Sequence, residues 1–161
     1  MLPPVSTRRP RFVVCEDGAE YIERFRRFLG DAFTFVAAND LAATEAAVAA
    51  SSDLDGLLLD LDFRRTPPEQ LVDEGGHAPA ALDEDTRRRL AESQGIFILR
   101  ALRARGVRLP AVLFADLDDA EQAGFLERTL APLVVVPSRT GLREIATLLE
   151  RLSTQAFPRR A

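Results

Sequence analysis

The chain contains no lysine: all 21 basic residues among its 161 are arginine. Any site that needs a lysine ammonium is thereby excluded. Cysteine is nearly absent too, and with Cys15 alone there can be no internal disulfide. Because Cys15 sits inside an apolar run, it reads as a small buried hydrophobe rather than a reactive thiol. The only histidine, His77, lies among Gly and Pro residues and reads as a surface-loop residue. No apolar run approaches the roughly 20 residues of a membrane-spanning helix, and Met1-Leu2-Pro3-Pro4 lacks a secretory pattern. The net charge of −4 and a pI near 5.1 give no bulk reason to bind nucleic acid or an anionic membrane. These features lead us to expect a cytoplasmic protein with neither nucleic-acid nor membrane partners. With 47% hydrophobic residues, the chain can bury one sizeable core and fits a single domain.

Two segments carry most of the remaining information, Phe12-Val13-Val14-Cys15-Glu16-Asp17 and Gly56-Leu57-Leu58-Leu59-Asp60-Leu61-Asp62. Each is a continuous apolar run that ends abruptly in carboxylates. A strand buried on both faces of a parallel sheet has this pattern, and it delivers its acidic residues to the carboxyl edge, where open α/β sheets bind ligands. Four carboxylates gathered there repel one another unless a cation or a proton sits among them. The expectation is an acidic pocket that holds a divalent metal.

Further strand-like runs occur at Thr34 to Ala37, Ala111 to Phe114 and Leu133 to Val136, and helical spacing separates the runs. Tyr21, Ile22, Phe25, Phe28 and Leu29 mark a first helix closed by Gly30. An Ala-rich second helix runs from Leu41 to Ala50, with Asn39 or Asp40 as its cap. Ile96, Leu99 and Leu102 mark a third that ends at Gly106. A weaker fourth covers about Asp118 to Leu130, and Ile145, Leu148, Leu149 and Leu152 mark the fifth. This alternation predicts an α/β fold, a doubly wound parallel sheet of five strands. Residues 64–94 interrupt it, because connections in such folds usually take about 2–6 residues. The first half of this insertion reads as irregular, and Leu82 to Glu92 reads as one exposed helix whose Arg87-Arg88-Arg89 run pairs with Asp83, Glu84, Asp85 and Glu92. Residues 1–10 and 154–161 read as tails around a domain at 11–153.

From about Arg11 to Leu152 the chain resembles the receiver domain of two-component response regulators. The resemblance rests on Glu16-Asp17 after the first strand, Asp60 after the third, the Gly-led helix from Gly95 to Arg103, and Leu109-Pro110-Ala111-Val112-Leu113-Phe114 at the fourth strand. It implies a flavodoxin-like fold with strand order 2-1-3-4-5. It also implies that Asp17 binds Mg2+ directly, that Glu16 holds it partly through water, and that Asp62 contributes its backbone carbonyl. Asp60 would bind the metal and accept a phosphoryl group. Magnesium's preference for hard oxygen ligands agrees with such a set.

The departures from that family are equally specific. Its hydroxyl residue after the fourth strand falls at Ala115, its lysine after the fifth at Val136, and its aromatic switch residue near Leu133. Arg64, Arg65 or Arg139 are candidate replacement cations, and Thr66, Ser138 or Thr140 candidate hydroxyls. The metal and acceptor carboxylates are retained while the groups that read out phosphorylation are missing, which is the pattern of an atypical or pseudo-receiver. Such a domain is expected to be non-enzymatic and to act in phosphorelay signalling through contacts with a sensor kinase, a downstream signalling protein or a second copy of itself. Only nine residues follow Leu152, so its output is expected to be a protein contact through the last helices or the insertion. Two alternatives remain. Leu57 to Asp62 also resembles the opening motif of haloacid-dehalogenase-like phosphatases, with Asp60 as nucleophile, Asp62 as acid/base and Asp118-Asp119 as a later metal pair. The other is a scaffold with vestigial carboxylates.

Overall fold

Each apolar run becomes a strand, and consecutive residues of the run enter opposite cores. In the computed structural model, which describes residues 8–80 and 82–154, the strands are β1 (Arg11–Cys15), β2 (Thr34–Ala38), β3 (Gly56–Asp60), β4 (Ala111–Phe114) and β5 (Leu133–Val136). They form one parallel sheet in the order β2-β1-β3-β4-β5, as expected. The helices are α1 (Glu20–Leu29), α2 (Leu41–Ala50), α3 (Glu84–Glu92), α4 (Gln94–Ala104), α5 (Ala120–Thr129) and α6 (Leu142–Thr154). Val13, Cys15, Leu57, Leu59, Ala111 and Leu113 point to the face covered by α2, α4 and α5. Phe12, Val14, Leu58, Val112 and Phe114 point to the other, where α1 and α6 lie. This two-sided burial is why the strands read as unbroken apolar runs rather than alternating ones. Among the described residues, no helix is long and apolar enough to cross a membrane.

Local chemistry sets the helix ends. Asp40, rather than Asn39, caps α2 by accepting a hydrogen bond from the Ala43 amide at 2.7 Å. At the end of α4, Gly106 has φ +88°, the Val107 amide donates to Leu102 and the Gly106 amide donates to Arg103, the paired bonds of a Schellman motif. A side chain at Gly106 has open space around it. Gly106→Ala should therefore cost only the strain of the left-handed backbone, about 1 kcal/mol. Thermal unfolding should show a drop of about 2–4 °C.

The insertion departs from expectation. The segment does begin irregularly, with one 3-10 turn at Pro68–Gln70. It is nonetheless packed into the core, since Phe63, Leu71, Val72, Leu90 and Ala91 are all buried. The expected exposed helix is α3, shorter by two residues and buried on one side through Leu90 and Ala91. Its Arg pairings agree in part: Arg87 pairs with Glu84 and Arg88 with Asp85, as expected, while Arg89 reaches Glu74. Asp83 is instead the helix cap, accepting from the Thr86 amide. The buried Gln94 amide ties the insertion down, accepting from the Val72 amide at 2.9 Å and donating to the Val72 carbonyl at 3.0 Å. The ends show related differences. Arg8 pairs with Asp55 and Arg9 donates to the Gly30 carbonyl, so residues 8–10 are tied to the body, and α6 continues through Thr154. The remaining tail residues, 1–7 and 155–161, lie outside the described residues.

Candidate functional site

Because β1 and β3 are hydrogen-bonded neighbours with Cys15 opposite Leu59, the residues that follow each strand emerge side by side at the carboxyl edge. Glu16, Asp17, Asp60 and Asp62 thus come together from two parts of the sequence. Asp60 feels all of them. Burial, reinforced by the charges of Asp17, Glu16 and Asp62, pushes its carboxyl from 3.8 up to about 6, although a hydrogen bond from the Leu61 amide at 2.9 Å opposes the rise. Tight packing holds this edge. A Cβ at Gly95, where α4 begins, would stand 2.0 Å from the Asp60 carbonyl oxygen, so only glycine admits the helix so close.

Glu16 is buried, and its two oxygens accept from the Tyr21 amide at 3.0 Å and the Ile22 amide at 2.9 Å. Those amides belong to the first turn of α1, whose unpaired donors and positive dipole end suit a carboxylate. Burial still raises the Glu16 carboxyl above its ordinary range, partly offset by the two amides. Tyr21 lies beside the same carboxylates. Burial together with the Asp60 and Glu16 charges pushes its phenol up to about 12, and its ring stacks on Phe114 at 4.9 Å. Helical spacing alone places Tyr21 among core residues; its hydroxyl is the one hint of a place at the site.

The buried Asp17 carboxylate is met by an arginine. The Arg65 backbone amide donates to Asp17 Oδ2 at 2.9 Å and its Nη2 to Oδ1 at 3.0 Å, while the same guanidinium reaches Glu20 at 2.5 and 2.9 Å. Only 5% of the Asp17 side chain is exposed, against 66% for Glu20, so the first pairing matters most; the second is screened by water. The guanidinium lies against Gly18, where a Cβ would stand 2.4 Å from Nη2. Arg64 is turned to Asp62, pairing with its carboxylate at 2.7 Å.

The other candidates are engaged elsewhere. The Ser138 hydroxyl and amide both donate to Asp116, and the Thr140 hydroxyl donates to the Pro137 carbonyl at 2.6 Å. The Thr66 hydroxyl is buried without a hydrogen-bond partner. Arg139 is exposed and acts on Asp116. Val136 lies opposite Phe114 in register, Ala115 donates its amide to the Val136 carbonyl, and neither side chain offers a donor. Asp119 caps α5 by accepting from the Glu121 amide. His77 is an exposed loop residue whose amide donates to Asp73. Cys15 is buried beside Thr44, and burial pushes its thiol up to about 12, which makes it inert.

As placed, these residues do not fit Mg2+. Each Glu16 oxygen accepts from a helix amide, each Asp17 oxygen from Arg65, and one Asp60 oxygen from the Leu61 amide, so one lone pair on each of these oxygens is already engaged. Among the described residues, no group of three or more His, Cys, Asp or Glu is positioned to hold a metal ion. A metal would have to displace the guanidinium.

The sheet order and the acidic carboxyl edge define the flavodoxin-like receiver fold, and solved receiver domains superimpose on nearly the whole chain. The non-phosphorylated HemR receiver domain from Leptospira biflexa is 18% identical with a TM-score of 0.62, covering 94% of this chain and 100% of its own. The NtrX receiver domain from Brucella abortus is 15% identical with a TM-score of 0.63, over 90% and 99%. The BeF3-activated N-terminal receiver domain of RstA from Klebsiella pneumoniae is 18% identical with a TM-score of 0.60, over 90% and 99%. No family model and no curated protein sequence matches the chain.

Proposed function

We propose that this chain is a pseudo-receiver, a signalling module whose acidic pocket is neutralised by its own Arg65 and which acts through protein contacts rather than through a phosphoryl group on Asp60. The observation that carries this reading is the pairing of Arg65 with the buried Asp17. A carboxylate becomes a useful phosphoryl acceptor when a metal and preorganised donors neutralise the incoming charge. In this pocket the carboxylate expected to bind metal is bonded to an arginine, and alanine and valine stand at the positions expected to supply the hydroxyl and the ammonium. The insertion that carries Arg65 is both the pocket's cover and, with the α5–β5–α6 face, a surface for a kinase-like or downstream signalling partner. The phosphatase alternative gains nothing from the geometry, since Asp62 is paired with Arg64 and Asp119 caps a helix.

Intact mass spectrometry after incubation with Mg2+ and acetyl phosphate tests the proposal. Wild type should remain unmodified, as should Asp60→Asn. A single phosphate adduct on wild type that is absent from Asp60→Asn would overturn it.

A further inference from the structure

At the opposite end of the sheet, where α4 and α5 finish and β4 and β5 begin, lies an open cleft of about 660 Å³ lined by Arg100, Arg103, Arg108, Arg128 and Phe125. No carboxylate lines it, although the chain as a whole is acidic. Elsewhere, Arg8, Arg64, Arg65, Arg87, Arg88, Arg89 and Arg105 each have a carboxylate partner. Arg9, Arg11, Arg24, Arg26, Arg27, Arg139, Arg143 and Arg151 are in no ion pair within 4.0 Å among the described residues. The four in the cleft likewise have no carboxylate partner among the described residues.

Two of these arginines have structural duties. The buried Arg103 donates to the carbonyls of Val107, Leu109, Leu130 and Pro132, and so holds together the two loops that lead into β4 and β5. Arg108 donates to the Arg103 carbonyl at 2.8 Å through one nitrogen. Burial and the neighbouring Arg108 charge lower the Arg103 guanidinium to about 10, so the cluster is electrostatically unfavourable as it stands. Arg100 and Arg128 have no duty of this kind. Among the described residues they neither pair with a carboxylate nor donate to a carbonyl, although Arg128, in the last turn of α5, also suits the negative end of that helix. Phe125 stands beside them with 53% of its surface exposed, one of two large apolar side chains so exposed among the described residues. The other, Phe28, is 59% exposed and carries the Arg27 guanidinium over its ring at 5.2 Å.

We infer that this cleft binds a nucleotide, its phosphates held by Arg100, Arg108 and Arg128 and its base against the Phe125 ring. Guanidinium forks match phosphate oxygens in pairs, an exposed aromatic ring offers a stacking face to any base, and the volume falls within the usual range of about 300–1,000 Å³ for small-ligand sites. The site is independent of Asp60 and of the reading proposed for the acidic pocket.

Calorimetric titration of the full chain with ATP and, separately, pyrophosphate in EDTA tests it, with metal excluded so that the acidic pocket contributes nothing. Wild type should bind ATP saturably with one-to-one stoichiometry. The Arg100→Gln/Arg128→Gln double variant, which leaves Arg103 intact, should lose at least about tenfold in affinity for both ligands. Phe125→Ala should lose about tenfold for ATP while its pyrophosphate affinity is unchanged. Unchanged melting temperatures would show that all variants remain folded. The inference is overturned if ATP gives no saturable binding, if the arginine variant binds as wild type does, or if Phe125→Ala leaves ATP affinity unchanged. Binding of poly-glutamate in place of ATP would likewise overturn it and assign the cleft to an acidic peptide.

Discussion

Replacing Arg65 by alanine is expected to lower the melting temperature by about 2–4 °C at neutral pH. The loss does not come from the exposed Glu20 pairing, which water already screens. It comes from Asp17, whose side chain is 5% exposed and would keep only the Arg65 backbone amide as a partner. Removing the arginine leaves the Asp17 charge without its counter-ion, a loss moderated by the water that replaces the exposed guanidinium, whereas removing both charges is less costly. Arg65→Ala/Asp17→Asn should accordingly be more stable than Arg65→Ala alone. Magnesium gives a second, independent readout. Millimolar Mg2+ should leave the wild-type melting temperature unchanged and raise that of Arg65→Ala, because a ligand that binds only the folded state stabilises it by mass action. A wild type that Mg2+ stabilises as strongly as the variant would mean that Arg65 does not guard the pocket.

Asp60→Asn should have the opposite effect on stability. The native state holds the Asp60 carboxyl at about 6, against an ordinary value of 3.8, so it binds a proton that the unfolded chain releases. Stability therefore falls as pH rises between about 4 and about 6, and remains lower above that window. The upward displacement of the Asp60 carboxyl corresponds to roughly 3 kcal/mol. Because Asp60 is only partly buried, solvent screening reduces this to about 1–2 kcal/mol. The asparagine amide that replaces the carboxylate keeps an oxygen for the Leu61 amide and carries no charge. At pH 7 the variant should melt about 2–8 °C above wild type, and the difference should close as pH approaches 4. Glu16, whose carboxyl is also raised, remains in the variant, so a shallower slope of the same sign should persist. Equal melting temperatures at pH 7 would show that the four carboxylates are not in repulsive contact.

How much of this was legible depended on the range of the interaction involved. The five strands could be read because a parallel strand buried on both faces must be apolar at every position, and Phe12 to Cys15 and Leu57 to Leu59 are. The abrupt change to carboxylates located the carboxyl edge, and the resemblance carried by Glu16, Asp17 and Asp60 supplied the strand order that makes them neighbours. Cap and turn signals at Asp40 and Gly106 were equally local. The insertion was harder, because α3 has the composition of an exposed helix and only Leu90 and Ala91 turn inward. The buried Gln94 bonds there to Val72, 22 residues away, and to the Leu90 carbonyl, contacts that sequence spacing does not reveal.

The sequence by itself determined the acidic residues at the strand ends and the absence of lysine, because these follow from residue identity and short-range periodicity, while the resemblance placed Ala115 and Leu133 where that family has its hydroxyl and aromatic residues. Which cation answers those acids was decided only in three dimensions. Arg64, Arg65 and Arg139 were equivalent candidates along the chain, and only closure of the insertion over the sheet edge sets Arg65 on Asp17 across 48 residues while turning Arg64 to Asp62. The arginine cleft was likewise invisible in sequence, since its residues come from α4, α5 and the loop before β4, and they share one surface only because those helices end at the same edge of the sheet.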